Sequence, residues 1–449
     1  MPLNSQQLAQ IPAVQAAANA SAPDFKALVC VFLNGGNDAH NTVIPLGSGY
    51  VGYAAGRGPL SIAENTILPL NGTSLAGLHP NMTGMQALWN AGDMAIVTNI
   101  GPLVETMTKA EYGSDYIPGS NKLRPLGLQS HADQQLAWNS GLPGTAGPLT
   151  GWGGRLHDLI EQTYNSTAIA PSTITIAGRT RFQEGNSVNQ YQIGTDGPTQ
   201  LATQDNFSGP GRTSGFAIPA MTAVYGQTYT HPMEKEIARI ANRGIQFAAV
   251  VNNAGNSVAL TTTFPSTSIG RQLRRAAITI ASRTTLGLRR QLLFCQMGGY
   301  DTHSNSLADH GSLMTQLSSA IKAFNDAMIE LGVNNQVTLF TQSDFGRTLF
   351  PNGSGTDHGW GGHAFVIGGA VNGGAFYNKA TPTSAPTNTF PDVSIDGPYD
   401  GGQGRLVPTT SADEYSATLA KWYGLPDVAR SVVIPNIAAF SHPNLGFLT

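Results

Sequence analysis

Residues 26–38 have the sequence KALVCVFLNGGND, an apolar run that ends in two glycines and a carboxylate. The run Lys26–Leu33 contains no alternation of polar and apolar residues, which is typical of a strand buried on both faces of a sheet. In an open parallel sheet, ligands bind at the carboxyl ends of the strands. Asp38 is therefore a candidate functional residue at the end of the first predicted strand.

Further strands and helices alternate along the chain. Strands are predicted at Met94–Ile100, Ser172–Ala177, Gln291–Met297, Gln336–Thr341 and Ala364–Ile367. Helices are predicted at Asn81–Ala91, Ser130–Ser140, Gly151–Tyr164, Pro232–Asn252, Ile269–Thr284, Leu307–Leu331 and Ala412–Tyr423. Apolar strands in alternation with helices predict an α/β fold, a three-layer αβα sandwich around a mostly parallel sheet.

The chain of 449 residues has the length of one large α/β domain with insertions. We expect residues 1–23 to form a peripheral N-terminal segment, with a short helix around Val14–Ala20. Residues 24–449 are expected to form a single domain. Within it, weak periodicity predicts a loop-rich insertion or cap at 165–290.

Composition excludes several classes of protein. Only 11% of the residues are charged and the net charge is −3, without a run of Lys or Arg, so a nucleic-acid partner is not expected. The chain contains no run of eighteen apolar residues, so no membrane-spanning segment is predicted. Cys30 and Cys295 lie in apolar runs and are predicted to be buried strand thiols. The absence of a CxxC spacing excludes a thiolate zinc site.

Residue types that bind metals follow three of the predicted strands and lead into a fourth, Ala364–Ile367. They are Asp38, Asp301, His303, Asp344, Asp357, His358 and His363, with His310 as a further candidate. Because the carboxyl ends of parallel strands meet at one edge, we expect these side chains to converge. Mixed carboxylate and imidazole ligands predict a divalent metal centre, with zinc as the first expectation and manganese, iron or calcium as alternatives.

Ser130 and Arg347 are the candidate catalytic residues. Ser130 lies at the predicted N-terminus of a helix, where backbone N–H groups and the helix dipole favour an oxyanion. It is either a nucleophile activated by a base or metal, or a simple helix cap. Arg347 either binds an oxyanion through two hydrogen bonds or forms an ion pair with one of the aspartates.

Four motifs together resemble a bacterial family known as domain of unknown function number fifteen-oh-one. They are FLNGGND at 32–38, GGYDTH at 298–303, SDFGRT at 343–348 and GTDHGWGGH at 355–363. The resemblance extends from about Phe25 to Phe447. Members of this family usually carry a twin-arginine export signal, which this chain lacks. The resemblance implies a periplasmic or secreted protein.

That family is in turn similar to the alkaline phosphatase and sulfatase superfamily. This similarity implies a central sheet between helical layers and a two-metal centre. It also implies a nucleophile at the N-terminus of a helix, a position that Ser130 occupies in the run SHADQQLAWNSG at 130–141. The chain departs from the superfamily pattern in having Asp344-Phe345 where an Asp-His pair is expected. It also lacks the signature that sulfatases need for formylglycine.

We therefore expect an exported metal-dependent hydrolase. Its substrate would be a phosphate-, sulfate- or related ester, small or polymeric, attacked by Ser130 or by a metal-activated water. The alternative is a non-catalytic exported protein that keeps the fold, with or without a structural metal, and serves a protein partner or a homo-oligomer. Redox chemistry at the same cluster would need iron or copper.

Overall fold

A computed structural model describes residues 5–20, 24–113, 119–198 and 217–449. The strands are β1 (Lys26–Leu33), β2 (Val43–Pro45), β3 (Ala76–Leu78), β4 (Met94–Gly101), β5 (Thr173–Thr175), β6 (Tyr191–Gln192), β7 (Arg290–Met297), β8 (Val337–Ser343), β9 (Arg347–Pro351), β10 (Thr356–His358), β11 (Gly362–Ile367), β12 (Ala375–Tyr377) and β13 (Thr410–Ser411). The helices are α1 (Ser5–Ala20), α2 (Ala39–Thr42), α3 (Ser48–Arg57), α4 (Thr83–Ala91), α5 (Lys109–Tyr112), α6 (His131–Ser140), α7 (Trp152–Tyr164), α8 (Ala217–Tyr225), α9 (Pro232–Asn256), α10 (Ser268–Ala281), α11 (Arg283–Leu286), α12 (Ser306–Glu330), α13 (Ala412–Tyr423) and α14 (Arg430–Val433).

Nine of these strands form one sheet in the described part of the chain. Their order is β12-β4-β11-β8-β1-β7-β5-β6, and β13 pairs with the carboxyl end of β4. Neighbouring strands run parallel, except that β11 is antiparallel to both β4 and β8. The predicted α/β class with a mostly parallel sheet is confirmed.

Helices cover both faces of the sheet. Alternate residues of β1 face opposite sides, as the two-residue period of a strand requires. Val29 and Val31 pack into a core that includes side chains of α4, α10 and α12, whereas Leu28 and Phe32 pack into a second core with side chains of α7 and α13. The predicted three layers are therefore present, with β1 at the centre of the sandwich.

The two cysteines lie back to back in neighbouring strands. In the register of β1 and β7, Cys30 is opposite Phe294 and Cys295 is opposite Val31, so the thiols face different cores. Both are buried and free, which confirms the prediction of strand thiols. Burial raises the pKa of both thiols well above the ordinary value, which keeps them protonated and unreactive.

The N-terminal helix is longer than predicted and is packed on the domain. It spans Ser5–Ala20 instead of Val14–Ala20, and it contacts α7. Val14 is fully buried and Gln7 Nε2 donates a hydrogen bond to Asp158 Oδ2 at 3.1 Å. These contacts stabilise a polar, alanine-rich helix for which the local sequence gives only a weak signal.

The stretch 165–290 contributes both to the sheet and to its surface. Strands β5 and β6 extend the sheet beyond β7, and α10 packs on the core through side chains such as Leu273 and Ile280. The first half of α9 is exposed, including Ile237 and Ile240. None of the described helices combines the length with the apolar character needed to cross a membrane.

A buried ion pair holds the start of α13. Lys379 Nζ donates to Glu414 Oε1 and Oε2 at 2.8 and 3.0 Å and to the Pro382 carbonyl at 2.6 Å, and neither charged side chain is exposed. Glu414 also completes the capping box of α13 with Ser411. The carboxylate therefore links the helix start to the loop after β12.

We predict that Lys379→Met destabilises the protein by about 3–5 kcal/mol, because Glu414 would keep a buried charge without a partner. Urea denaturation followed by circular dichroism measures the loss. The double variant Lys379→Met/Glu414→Gln removes both charges and keeps an oxygen for the cap, so it should regain much of the stability. A single variant as stable as the native protein would contradict this role of the pair.

Candidate metal centre

Several of the predicted site residues meet at one edge of the sheet. Asp301 follows the carboxyl end of β7, and Asp344 follows that of β8. Strand β11 runs antiparallel, so its amino end lies at the same edge and brings His358 there from β10. The edge therefore collects residues that follow parallel strands and residues that precede the antiparallel one.

His131, the first residue of α6, has a fixed orientation. Its Nδ1 lies 2.6 Å from Asp344 Oδ2, and this buried carboxylate also accepts hydrogen bonds from Gly35 N at 3.2 Å and Gln135 Nε2 at 3.1 Å. In the neutral form of the ring, Nδ1 donates its proton to Asp344 and Nε2 is the nitrogen that carries the lone pair. Nε2 lies 3.4 Å from Asp301 Oδ2 and is buried without a hydrogen-bond donor among the described residues.

His358 is oriented in the same way by a backbone group. Its Nδ1 donates to the Gln129 carbonyl at 2.8 Å, and a carbonyl can only accept. The lone pair is therefore on Nε2, which lies 3.2 Å from Asp301 Oδ1. Burial is the main cause that lowers the pKa of His358 below the ordinary histidine value.

His303 completes the exposed side of this group. Its Nε2 lies 3.0 Å from both His358 Nε2 and Asp301 Oδ1, and its Nδ1 lies 3.8 Å from Asp357 Oδ1. Asp357 also accepts a hydrogen bond from Asn352 Nδ2 at 2.5 Å. Asp357 therefore faces Nδ1 of His303, whereas Asp301 faces Nε2 of the same ring.

The group has the chemistry of a cation site. Ligand atoms of His131, Asp301 and His358 all lie within 4.8 Å of one another. Two imidazole nitrogens and a carboxylate face each other, and a positive ion between them would stabilise this arrangement. The 3.0–3.2 Å spacings of Asp301, His303 and His358 are close to the roughly 3.3 Å between ligands of a tetrahedral zinc ion. A carboxylate behind a ligand histidine, as Asp344 is behind His131, is common at metal sites.

Arg347 fixes the carboxylate at the middle of this group. Its fully buried guanidinium donates to the carbonyls of Gly36, Thr356 and Gly35 at 2.9, 2.7 and 2.7 Å, and to Asp301 Oδ1. Burial opposes ionisation of Asp301, but the hydrogen bond and charge of Arg347 outweigh it and lower its pKa. Of the two roles that the sequence left open for Arg347, the structure shows the ion pair.

Gly35 is required by the close approach of two loops. Its φ is +118°, and a Cβ at this position would lie 2.5 Å from the backbone nitrogen of Asp301. Only glycine combines this backbone conformation with the space available. The glycine thus allows the loop after β1 to reach both Asp344 and Asp301.

Ser130 lies between two residues that contact the group. It is the N-cap of α6, yet its side chain makes no capping hydrogen bond to the described helix. The preceding residue, Gln129, has a left-handed φ of 72°, which is uncommon for a residue other than glycine, and its carbonyl is bound by His358. The following residue is His131. The hydroxyl is thus attached to a backbone that both imidazoles hold in place.

Asp38 and His363 have other partners in the structure. Asp38 is fully buried, forms an ion pair with Arg57, and caps α2 through Asn41 N at 3.3 Å. Burial raises the pKa of Asp38, but the charge of Arg57 and smaller contributions from the nearby histidines and Asn41 N together lower it below the ordinary value. His363 Nδ1 accepts a hydrogen bond from Asn99 N at 3.2 Å. Neither residue belongs to the group around Asp301.

His131 and Gln135 are site residues that the sequence analysis did not select. His131 directly follows Ser130, and Gln135 lies one helical turn further on the same face. A histidine in the first turn of a helix that begins at the sheet edge is the signal that could have identified it. Asp344, predicted as a ligand, instead contacts His131 and so orients it.

Exposure increases from the supporting residues to the candidate ligands. The side chains of Asp344 and Arg347 are completely buried, whereas those of Asp301 and His303 are 45% exposed. His131 and His358 are intermediate, at 31% and 24%. The supporting residues are therefore enclosed by the protein, whereas the candidate ligands Asp301 and His303 are accessible to a molecule from solvent.

Comparison with known proteins gives a family match. Residues 192–390 match the family described as protein of unknown function (DUF1501). The predicted resemblance to this family is confirmed. The matched range includes Asp301, His303 and His358, and it lies entirely after Asp38 and Ser130. No curated protein matches the chain in sequence.

Solved structures show only weak similarity. The PsFucS1 sulfatase from Pseudoalteromonas sp. is 10% identical, with 84% of this chain and 69% of that chain covered and a TM-score of 0.32. Ps i-CgsB in complex with k-i-k-neocarrahexaose is 8% identical, with 94% and 77% covered and a TM-score of 0.38. TM-scores of this size carry no argument about the activity of this chain.

We predict that the purified protein takes up about one equivalent of zinc, and that His131→Ala and His358→Ala each lose it, because each removes one of the converging lone pairs. Elemental analysis after dialysis against zinc measures the ratio. The control is His231→Ser, which changes an exposed histidine and keeps an oxygen for the cap of α9. Full zinc retention in both alanine variants would contradict the assignment.

Four histidines that are buried away from the ligand group have a lowered pKa. Burial lowers the pKa of His40, His79 and His310 to about 4 and that of His363 to about 3. His310 Nε2 lies 3.1 Å from Asn37 Oδ1, and His40 Nε2 lies 3.0 Å from the Gly404 carbonyl. These rings are neutral in the folded protein at ordinary pH.

We predict that the stability of the metal-free protein falls as the pH decreases from about 6.5 towards 4. The unfolded chain binds a proton on each of these histidines below about pH 6.5, whereas the folded chain does not. Each histidine contributes on the order of 1 kcal/mol per pH unit in this window. Thermal melts in chelator from pH 8 to 4.5 measure the effect, and a constant melting temperature would contradict it.

Proposed function

We propose that this protein is a metal-dependent hydrolase that acts on a phosphate-, sulfate- or related ester. The observation that supports it is the convergence of His131 Nε2 and His358 Nε2 on Asp301, while the Nδ1 protons are donated to Asp344 and the Gln129 carbonyl. A carboxylate and two neutral imidazoles hold zinc-type ions in hydrolases, which keep an open position for substrate. The exposed side of this group provides such an opening.

His131, Asp301 and His358 would hold the ion, with His303 beside them. When bound, the ion would supply Lewis acidity to the ester oxygens of the substrate. Asp344 and Arg347 would act indirectly, because Asp344 holds the His131 ring and Arg347 holds the Asp301 carboxylate. This division agrees with the complete burial of both supporting side chains.

The nucleophile would be Ser130 or a water molecule. The Ser130 hydroxyl is not used as a helix cap, and it lies at the N-terminus of α6, a helix of ten residues. The partial positive charge of that helix end would favour the negative charge that develops on an ester oxygen. Either nucleophile must transfer its proton to a base, and the exposed imidazole of His303 is a base at this edge.

Phe345 supports a second candidate, a non-catalytic metal protein. Its ring lies 4.8 Å from the ring of His131 and 4.6 Å from that of His358. The aromatic ring occupies space beside both histidines but contributes no ligand atom, so few protein ligands are available to a metal ion here. The low charged fraction of 11% fits an exported, periplasmic or secreted location for either candidate.

We predict that the zinc-loaded protein hydrolyses 4-nitrophenyl phosphate, bis(4-nitrophenyl) phosphate or 4-nitrophenyl sulfate, and that His131→Ala abolishes turnover. If Ser130 is the nucleophile, Ser130→Ala should reduce kcat by at least about 10³-fold while zinc content stays unchanged. Release of 4-nitrophenol measures the rates, and His231→Ser serves as the control.

The outcomes separate the candidates. Turnover that survives Ser130→Ala but not His131→Ala would assign the attack to water. Bound zinc without turnover on any of the three esters would favour the non-catalytic protein. A protein that neither binds zinc nor turns over an ester would contradict both candidates.

A further inference from the structure

A cleft of about 460 Å³ lies beside the candidate metal centre. One wall is formed by α6, through Ala132, Gln135 and Asn139, which are spaced so that they share one face of the helix. The opposite wall is the segment 179–184, and Phe32 and Gln296 from β1 and β7 lie between the two walls. The cleft thus begins at the same sheet edge as the metal centre.

Gln135 connects this cleft to the metal centre. Its Nε2 donates to Asp344 Oδ2 at 3.1 Å and to Asn34 Oδ1 at 2.8 Å, and Asp344 in turn binds His131. One wall of the cleft is therefore two hydrogen bonds away from a candidate metal ligand. Since a helix rises 1.5 Å per residue, Asn139 lies about 12 Å along α6 from His131. A molecule at the metal centre could extend along this helix.

The wall opposite α6 has an excess of positive charge. Arg179 Nε donates to Glu184 Oε1 at 2.5 Å, and Arg181 forms an ion pair with Glu184 Oε2. One carboxylate thus faces two guanidinium groups, which leaves one net positive charge on this wall. The Arg179 side chain is 80% exposed, so its terminal N–H groups are accessible to an anion.

Asn139 is an incompletely satisfied group in the wall formed by α6. The residue is only 9% exposed, and its Oδ1 is buried without a hydrogen-bond partner in the described part of the chain. Buried polar atoms are nearly always hydrogen-bonded, and a bound molecule is one way to satisfy such an atom. Because the residue lines the cleft, a rotation of its amide would present this oxygen to a hydroxyl group as an acceptor. The cleft therefore offers an acceptor on one wall and cationic donors on the other.

We propose that this cleft binds an extension of the substrate that carries hydroxyl groups and a second anionic group. A hydroxyl would donate to Asn139 Oδ1, and a carboxylate, sulfate or phosphate would bind Arg179. The role of the cleft in substrate selection rests on the proposed hydrolase function, whereas the binding itself does not. The substrate would then be a polyhydroxylated compound that carries a hydroxyl group about 12 Å from the ester, the distance along α6 between His131 and Asn139, and a further anionic group.

Sucrose octasulfate, which presents oxyanions on a compact scaffold, is the probe. We expect isothermal titration calorimetry to show at least fivefold weaker binding in Arg179→Ala and in Asn139→Leu than in the native zinc-loaded protein. Arg239→Ala is the matched control, because Arg239 is also exposed and pairs with a glutamate at 2.5 Å, but lies on α9. Its dissociation constant should stay within twofold of the native value.

A dissociation constant within twofold of native in either Arg179→Ala or Asn139→Leu would overturn the proposal. Thermal melts show whether each variant is folded. If Asn139→Leu is not folded, Ala132→Trp replaces it, since Ala132 is exposed and a tryptophan there narrows the cleft. This variant should also bind at least fivefold more weakly, and unchanged binding would overturn the proposal.

Repeating the titration after removal of zinc separates this proposal from the hydrolase function. If the protein takes up no zinc but its binding still depends on Arg179 and Asn139, the cleft assignment stands and the hydrolase function fails. If zinc uptake and turnover are present but binding is independent of Arg179, the cleft assignment fails and the hydrolase function stands.

Discussion

The buried guanidinium of Arg347 holds the candidate site together. It binds carbonyls of the loop after β1 and of β10, together with the carboxylate that follows β7. A buried charge is costly unless its hydrogen bonds are satisfied, and here each guanidinium nitrogen has a partner. The position of Asp301, and through it the spacing to His131 and His358, therefore depends on an arginine that is itself fully buried.

The sequence predicts those parts of the fold whose signals are local. Strand β1 and helix α13 have the predicted bounds, because uninterrupted apolar runs and helix caps can be recognised within a few residues. The direction of β11 depends on its neighbours β4 and β8, and no local pattern specifies it. The predicted convergence at one edge nevertheless includes His358, because an antiparallel strand begins where the parallel strands end.

For the candidate site, the sequence predicted several of the residues but not which of them contact each other. Asp301, His303 and His358 follow from glycine-flanked motifs, but the partner of His131 is Asp344, which lies 213 residues away in sequence. Asp38 resembled the other carboxylates until the structure showed Arg57 beside it, and no pattern links the two positions. Pairings of this kind are decided by tertiary packing, which the spacing of residues along the chain does not contain.

The exposure of Asp301 and His303 has a consequence for how the protein would acquire its ion. An open site with nitrogen and oxygen ligands follows the general order of affinities of divalent transition metals and selects poorly among them. Such a centre exchanges its occupant with the surroundings, whereas a closed cage retains the first ion that enters. The identity of the metal in the native protein would then depend on which metals are available in the compartment where the chain folds, as much as on the preference of the ligands.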